Sequence, residues 1–309
     1  GKERFLCVVP IFHSYGLTTA MNVPVSIGAA MILKAQFQVL DVLKAIKRYK
    51  PTIFPGVPNM YRAINSFRGV RKFGIQSINY CISGSEPLYV EVQEAFEKLT
   101  KGRLVEGYGL TEASPVTHAN PLGDKRRVGT IGVPLPSTEA KVFDLSQKNK
   151  EVKQGHIGEL AVRGPQVMMG YWKDAKATKE VLTHDGWLLT GDIAQVDEDG
   201  YTRIIARKAD MWYPNKSKKQ PAFPRDVEEV IYEIPQIKEV AVAAVAGNPF
   251  AFVIAGQERP TPAAVMAYCK RRLPAHLVPR FVIFMDEFPK SYIGKVLRRE
   301  LARRYEKHA

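Results

Sequence analysis

The apolar positions of this chain fall into short blocks that switch between strand-like runs and helix-spaced stripes. Residues 5–10 (FLCVVP) read as a strand, and residues 29–33 as another. The longest apolar stretch, residues 17–33 (LTTAMNVPVSIGAAMIL), is interrupted by Asn22 and Pro24 and is short for a membrane span. It is expected to form a buried helix leading into a buried strand. Leu40, Leu43 and Ile46 recur at helical spacing over residues 40–49. PTIFPGVP reads as a short strand closed by Pro and Gly, and residues 89–99 place Val92, Ala95, Phe96 and Leu99 on one helical face. Strands alternating with helices over residues 1–127 predict an α/β sheet.

The texture changes near residue 128. Short alternating runs (AKVFD, GELAVRG, GWLLTGDIAQVDEDGYTRII) with turn signals at Asp185-Gly186 and Asp199-Gly200 predict a β-rich subdomain over residues 128–207. WYPNKSKKQPAFP, after Arg207, is polar, basic and proline-rich and is predicted to be a loop. Pro224 then opens PRDVEEVIYEI, a helix start with acids in its first turn. EVAVAAVAG, AFVIAG, PAAVMAYCKRRL, RFVIFMD and KVLRRELARRYEKH follow as strand, strand, helix, strand and basic helix. Residues 208–309 are therefore expected to be a small α+β domain, with a boundary at 207–210. No internal repeat is visible.

Composition narrows the function classes. The 309 residues are 45% hydrophobic and 25% charged, an ordinary globular profile. The formal charge of +14 favours anionic partners, among them nucleotides, coenzymes and peripheral contact with an acidic membrane surface. Its basic residues are spread along the chain, and no zinc-finger spacing or RNA-recognition signature is present, so no nucleic-acid partner is expected. Cys7, Cys81 and Cys269 have no metal or redox spacing and read as reduced buried thiols of a cytoplasmic protein. No signal-peptide pattern is seen, and the first residue is Gly1 rather than Met, followed almost at once by a strand; the chain is expected to start inside a domain.

Four stretches carry candidate chemistry. In RLVEGYGLTEASPV (residues 103–116), Gly107 and Gly109 allow close backbone approach to a ligand, and Thr111 beside Glu112 suits a phosphate-bound Mg²⁺. A tight turn with a helix-capping Thr explains the same residues. In LLTGDIA (188–194), Asp192 at a strand end can accept two hydrogen bonds from a ribose diol; an ordinary Gly-Asp turn is the alternative. Arg207 follows a strand in TRIIARKAD and can meet a phosphate or ribose hydroxyl, or be a plain surface cation. In FPKSYIGKVLRREL (288–301), Lys295 precedes an amphipathic helix and can reach toward phosphate oxygens; a plain basic helix start is the alternative, although helix electrostatics mildly disfavour a cation there.

Taken in order, GYGLTE, TGD, the Arg after a strand and PKxxxGKxxRREL resemble the successive core motifs of the adenylate-forming superfamily: acyl-CoA synthetases, aryl-CoA ligases, peptide-synthetase adenylation domains and firefly-type luciferases. The likeness covers nearly the whole chain. PIFHSYGL, SGSEPL, GYGLTEASPV and KVLRREL bring it nearest to medium- or long-chain fatty acyl-CoA ligases. The resemblance implies the C-terminal portion of a large αβ-layered adenylation domain with its β-rich subdomain, plus a small mobile C-terminal domain. It implies ATP, Mg²⁺ and coenzyme A as cofactors and co-substrates, and a fatty acid as the acid activated. By the same resemblance Lys295 bridges acyl carboxylate and phosphate, Glu112 holds Mg²⁺ and Thr111 contacts phosphate. Tyr108 flanks adenine, Gly109 belongs to the nucleotide-binding residues, and Gly84, Ser85 and Glu86 form the loop along the adenine and acyl pocket. Asp192 takes the ribose with Arg207 beside it, and His13 lies near the acyl carboxylate; a satisfied buried histidine is the alternative. The hinge position, two residues after Arg207, is Ala209 where relatives carry Asp or Lys.

Three departures qualify the likeness. The family's Ser/Thr/Gly-rich phosphate loop ending in Pro-Lys-Gly lies upstream of PIFHSYG, and nothing here matches it. The chain alone is therefore expected to be inactive, with three readings open: a ligase piece, a non-catalytic remnant that binds acyl chain or nucleotide, or one chain of a split enzyme completed by a partner carrying the N-terminal portion. KADMWYPNKSKKQPAFP lacks the glycine that lines a coenzyme A tunnel, and VAGNPFAFVIAG is shortened.

Overall fold

The first apolar block becomes β1 (Arg4–Cys7), with Phe5, Leu6 and Cys7 all buried. In this computed structural model, which describes residues 1–147, 150–214, 221–291 and 296–306, β1 is an inner strand of a seven-stranded sheet. Its neighbours are β2 (Ala30–Leu33), β3 (Ile53–Gly56), β4 (Tyr80–Ser83), β5 (Arg103–Gly109), β6 (Val116–Ala119) and β7 (Val133–Pro134), in the order β2-β1-β3-β4-β5-β6-β7. β1 to β5 pair in parallel, and β6 and β7 close the edge antiparallel. Parallel pairing requires crossovers. These are a helical run (Ser14–Gly16, Leu17–Asn22, Val23–Ser26), α1 (Val39–Tyr49), α2 (Pro58–Asn65) and α3 (Val90–Thr100).

One face of the sheet meets α1 to α3 in a single core containing Leu6, Leu43, Ile46, Phe54, Tyr61, Phe96 and Leu104. Tyr61 stands edge-on between Phe54 (5.3 Å) and Phe96 (4.9 Å), the arrangement aromatic quadrupoles favour. Two expectations are corrected. The strand at 30–33 is not buried: it is the outermost strand, and Leu33 is 61% exposed. Val23, Val25 and Ile27, at the end of the helical run and just past it, are exposed too. Apolarity alone marked that stretch as interior, whereas burial depends on what covers a sheet edge. Leu40 also lies outside the core; the buried face of α1 is Val42, Leu43, Ala45 and Ile46.

A four-stranded sheet, ordered β11-β10-β9-β8, comes from β8 (Glu139–Phe143), β9 (Ile157–Arg163), β10 (Leu188–Val196) and β11 (Thr202–Arg207). α4 (Ala175–Val181) sits between β9 and β10 in the chain. Leu160, Val162, Leu188 and Ala194 form its core together with Ile131 and Ala113. By internal contacts the chain divides into one unit of residues 1–190 and 194–204 and another of 191–193 and 205–309.

The second unit contains a three-stranded sheet, β12 (Ile237–Val245), β13 (Asn248–Ala255) and β14 (Phe281–Phe284), with α5 (Pro224–Tyr232), α6 (Pro262–Arg272) and α7 (Arg298–Tyr305). Pro224 occupies the first turn of α5, and Asp226 accepts the backbone N–H of Phe223 at 3.2 Å, so the start read from sequence has its physical cause. The stretch predicted as a loop hides a core residue: Trp212 is buried, pairs antiparallel with Ala222, and joins Val227, Ile231 and Val253. The three cysteines are free and buried. Among the described residues no helix is long and apolar enough to cross a membrane.

Phe96→Ala removes a ring from the centre of the first core and is expected to cost about 3–5 kcal/mol. Urea unfolding should show a lowered midpoint at unchanged slope. A midpoint equal to that of the parent would mean the ring does not hold α3 to the sheet.

Candidate functional site

Three loops leave the carboxyl ends of the parallel strands β1, β4 and β5 and come together, the usual location for a ligand crevice in such a sheet. The loop after β1 carries His13, Ser14 and Tyr15. His13 is half-buried and caps the helical run: its Nδ1 accepts the Tyr15 N–H at 3.2 Å, so a neutral ring carries its proton on Nε2. Ser14 Oγ lies 3.2 Å from Thr111 Oγ1, joining residues 97 positions apart. The Tyr15 hydroxyl donates to the Ile82 carbonyl at 2.7 Å, and the Tyr61 hydroxyl reaches the same carbonyl at 2.9 Å. Burial pushes the Tyr15 phenol well above its ordinary pKa, so it stays a donor.

The loop after β4 carries Gly84, Ser85 and Glu86. The Gly84 backbone lies on the Tyr15 ring, close enough that an added Cβ would come within 3.2 Å of it. Ser85 is in the left-handed region at φ 72°. Further along, the Leu88 N–H donates to Glu106 Oε1 at 3.3 Å, tying this loop to β5.

The loop after β5 presents Thr111 and Glu112. It closes on itself through Leu110 N to Pro115 O (2.9 Å) and Ala113 N to Leu110 O (2.9 Å). Gly109 has to be glycine, because a Cβ there would overlap the Pro115 carbonyl. Ala113 points into the core of the four-stranded sheet and anchors the turn. Thr111 is exposed and Glu112 half-exposed. Two contacts hold Glu112: the Met168 N–H donates to its carbonyl at 2.8 Å, and the Tyr171 hydroxyl donates to Oε1 at 2.8 Å. Burial, and then the Glu112 carboxylate, push the Tyr171 phenol up to about 12.

Tyr108, just before the turn, packs edge-on against His118 at 5.9 Å. His118 is fully buried; its Nδ1 lies 3.0 Å from Thr117 Oγ1, and Nε2 has no hydrogen-bond partner. Burial holds this imidazole down to about 4.

The second unit carries Asp192 and Arg207, joined by a 2.9 Å ion pair between Asp192 Oδ1 and Arg207 Nε. Asp192 is buried while Arg207 is exposed. Lys295 lies outside the described residues; contacts are described for Lys290 and for residues 296–298. Leu297 N donates to Pro289 O at 2.8 Å, Lys290 bridges Val296, and Arg298 grips the buried Glu228 carboxylate at 2.8 and 3.1 Å.

The sequence-predicted residues thus form two groups. His13, Gly84, Ser85, Glu86, Tyr108, Gly109, Thr111 and Glu112 belong to the first unit; Asp192 and Arg207 belong to the second. Ser14, Tyr15, His118 and Tyr171 were not singled out from sequence. Ser14 and Tyr15 sit inside PIFHSYG, where adjacency to His13 was the available signal. Tyr171 lies 59 positions from Glu112, and no local pattern links the two. Among the described residues no group of three His, Cys, Asp or Glu could hold a metal by itself. A hydroxyl and one carboxylate are the oxygen donors expected for Mg²⁺ that arrives with phosphate and keeps most of its waters.

The family model described as "AMP-binding enzyme" matches residues 1–172, and "AMP-binding enzyme C-terminal domain" matches residues 226–295. A long-chain-fatty-acid–CoA ligase of Bacillus subtilis is 42% identical over 308 residues, covering 97% of this chain and 54% of that protein. One from Escherichia coli O157:H7 is 36% identical with the same coverages. The chain therefore spans about half the length of the curated relatives it matches. The ATP-bound crystal structure of MatB from Rhodopseudomonas palustris superposes with a TM-score of 0.91 at 29% identity, covering 99% of this chain and 61% of that one. O-succinylbenzoate coenzyme A synthetase from Bacillus subtilis, in complex with AMP, gives 0.82 at 26% identity, covering 97% and 60%.

His118 supplies a pH test of the site's backing. Its folded pKa of about 4 lies below the ordinary 6.5. Between those values the unfolded chain takes up a proton that the folded one refuses. Stability is therefore lost as pH falls through that window, by up to about 1.4 kcal/mol per pH unit. His118→Asn should unfold in urea with a smaller difference between pH 7 and pH 5 than the parent. Equal differences would assign the acid sensitivity to another group.

Proposed function

Because this chain belongs to the family of AMP-binding enzymes, we propose that it carries the adenylation machinery of an ATP-dependent acid–thiol ligase for fatty acids. The observation that carries this reading is the closed turn at Gly109–Pro115, which offers a hydroxyl and a carboxylate side by side at the mouth of a parallel sheet. The 36–42% identity to fatty-acid ligases along nearly the whole chain supports the substrate class.

In the proposed reaction a fatty-acid carboxylate oxygen forms a bond to the α-phosphorus of ATP, the bond to the bridging oxygen breaks, and pyrophosphate leaves. Coenzyme A then attacks the acyl carbon through its thiolate; the thioester forms and AMP departs, with the thiol proton passing to solvent. Tyr108 and the Gly84–Glu86 loop line the adenine and acyl groups, and Asp192 takes the ribose diol beside Arg207. Thr111 meets phosphate oxygen, and Glu112 would hold Mg²⁺, which when bound offsets the charge of the polyphosphate. The Lys295 ammonium would face the charge building between carboxylate and α-phosphate. The division at about residue 207 would set a small C-terminal domain apart from the rest. Fatty acid, ATP or AMP and coenzyme A are the partners this reading requires.

Pyrophosphate exchange into ATP, dependent on a fatty acid, tests the first step in the full-length protein. Lys295→Ala is expected to slow exchange by roughly 10²-fold or more, the scale of a lost transition-state charge contact. Asp192→Ala should weaken ATP more than fatty acid. An unchanged exchange rate in Lys295→Ala would remove that residue from the mechanism, and absence of exchange in the unaltered protein would remove the ligase reading.

A further inference from the structure

We propose that Tyr171 is a positioning residue for Glu112, its phenol holding the carboxylate in the orientation that meets phosphate-bound Mg²⁺. This rests on the adenylation reading above and adds a residue to it. One short segment grips Glu112 at two atoms: Met168 N–H at the carbonyl and Tyr171 O–H at Oε1, each at 2.8 Å. Among the described residues, the phenol is the one donor that meets the Glu112 carboxylate. With Oε1 engaged, Oε2 is left for a cation.

Tyr171 is itself fixed from behind. Its N–H donates to Thr178 Oγ1 at 2.9 Å, and that hydroxyl donates to the Asp174 carbonyl at 2.8 Å. Asp174 caps α4 by accepting the Ala177 N–H at 2.9 Å. The carboxylate is thus connected through one phenol to the first turn of a helix. A half-exposed glutamate would otherwise sample several rotamers and lose that freedom on meeting the ion. Outer groups that orient a metal-binding carboxylate commonly change metal affinity 10- to 100-fold when removed.

Tyr171→Phe keeps the ring and deletes the hydroxyl. In the full-length protein, Mn²⁺ binding in the presence of ATP, followed by electron paramagnetic resonance, is expected to weaken roughly ten-fold. The Mg²⁺ concentration for half-maximal pyrophosphate exchange should rise in parallel, with the rate recovering at saturating Mg²⁺ and the melting temperature nearly unchanged. Thr178→Val, which frees the Tyr171 backbone without touching Glu112, should shift both readouts the same way by less, and serves should Tyr171→Phe fold poorly. Glu112→Gln should weaken Mn²⁺ more, and adding Tyr171→Phe to it should change nothing further. If Glu112→Gln weakens Mn²⁺ while Tyr171→Phe and Thr178→Val do not, the positioning role is overturned and the ligase reading stands. If Glu112→Gln has no effect on Mn²⁺ with ATP, the assignment of Glu112 fails and the proposal falls with it.

Discussion

One steric constraint governs the front of this site: the backbone at residue 109 passes so close to the Pro115 carbonyl that only a hydrogen fits on its Cα. That approach lets Leu110 N reach Pro115 O and pulls the six residues between β5 and β6 into a closed turn. The turn then has two ends of opposite character. Ala113 enters a hydrophobic core, while Thr111 and Glu112 are left at the surface. A side chain at 109 would force the strands apart, and the hydroxyl and carboxylate would lose their common orientation together rather than one at a time.

The sheet supplies what the turn cannot. Parallel strands send every connection off the same edge, so residues distant in sequence arrive at one place without a dedicated long-range contact. Ser14 after β1, Gly84 after β4 and Thr111 after β5 are neighbours for this reason. The buried tyrosines then set the spacing. Tyr15 and Tyr61 both reach the Ile82 carbonyl, the last but one of β4, and the Tyr15 ring supports Gly84. Each buried phenol thereby finds a backbone acceptor in the interior, where an unmet polar group costs about 1–3 kcal/mol. Packing and site geometry are thus the same interaction.

This explains which parts were readable from sequence. Alternation and helical spacing located β1, β3, the helix at 90–100 and nearly all of the second unit, because local burial patterns follow from local periodicity. Pro224, with Asp226 two residues later, marked a helix start that the structure has. Periodicity does not say which strand lies at an edge, so residues 30–33 were read as interior and are not. Nor does it find a lone tryptophan that joins a core from a polar stretch, as Trp212 does. The front of the site was readable because glycine, hydroxyl and carboxylate fall within six residues of chain. Its back was not: Tyr171 touches Glu112 and His118 packs on Tyr108 through contacts that only the fold supplies.

The second unit follows the same rule with charge in place of phenols. Glu228 is buried on α5, accepts the Val242 N–H at 2.8 Å and holds Arg298 at the start of α7. A carboxylate removed from water is tolerated there because it has both a backbone donor and a two-pronged cation; deleting the cation alone would leave it uncompensated. Lys290, at the other end of the intervening segment, pairs with Glu239 at 2.8 Å. Lys290 is therefore tied to β12 and Arg298 to α5. In each unit the groups proposed to meet substrate stand on short stretches whose ends are secured by fully paired polar contacts.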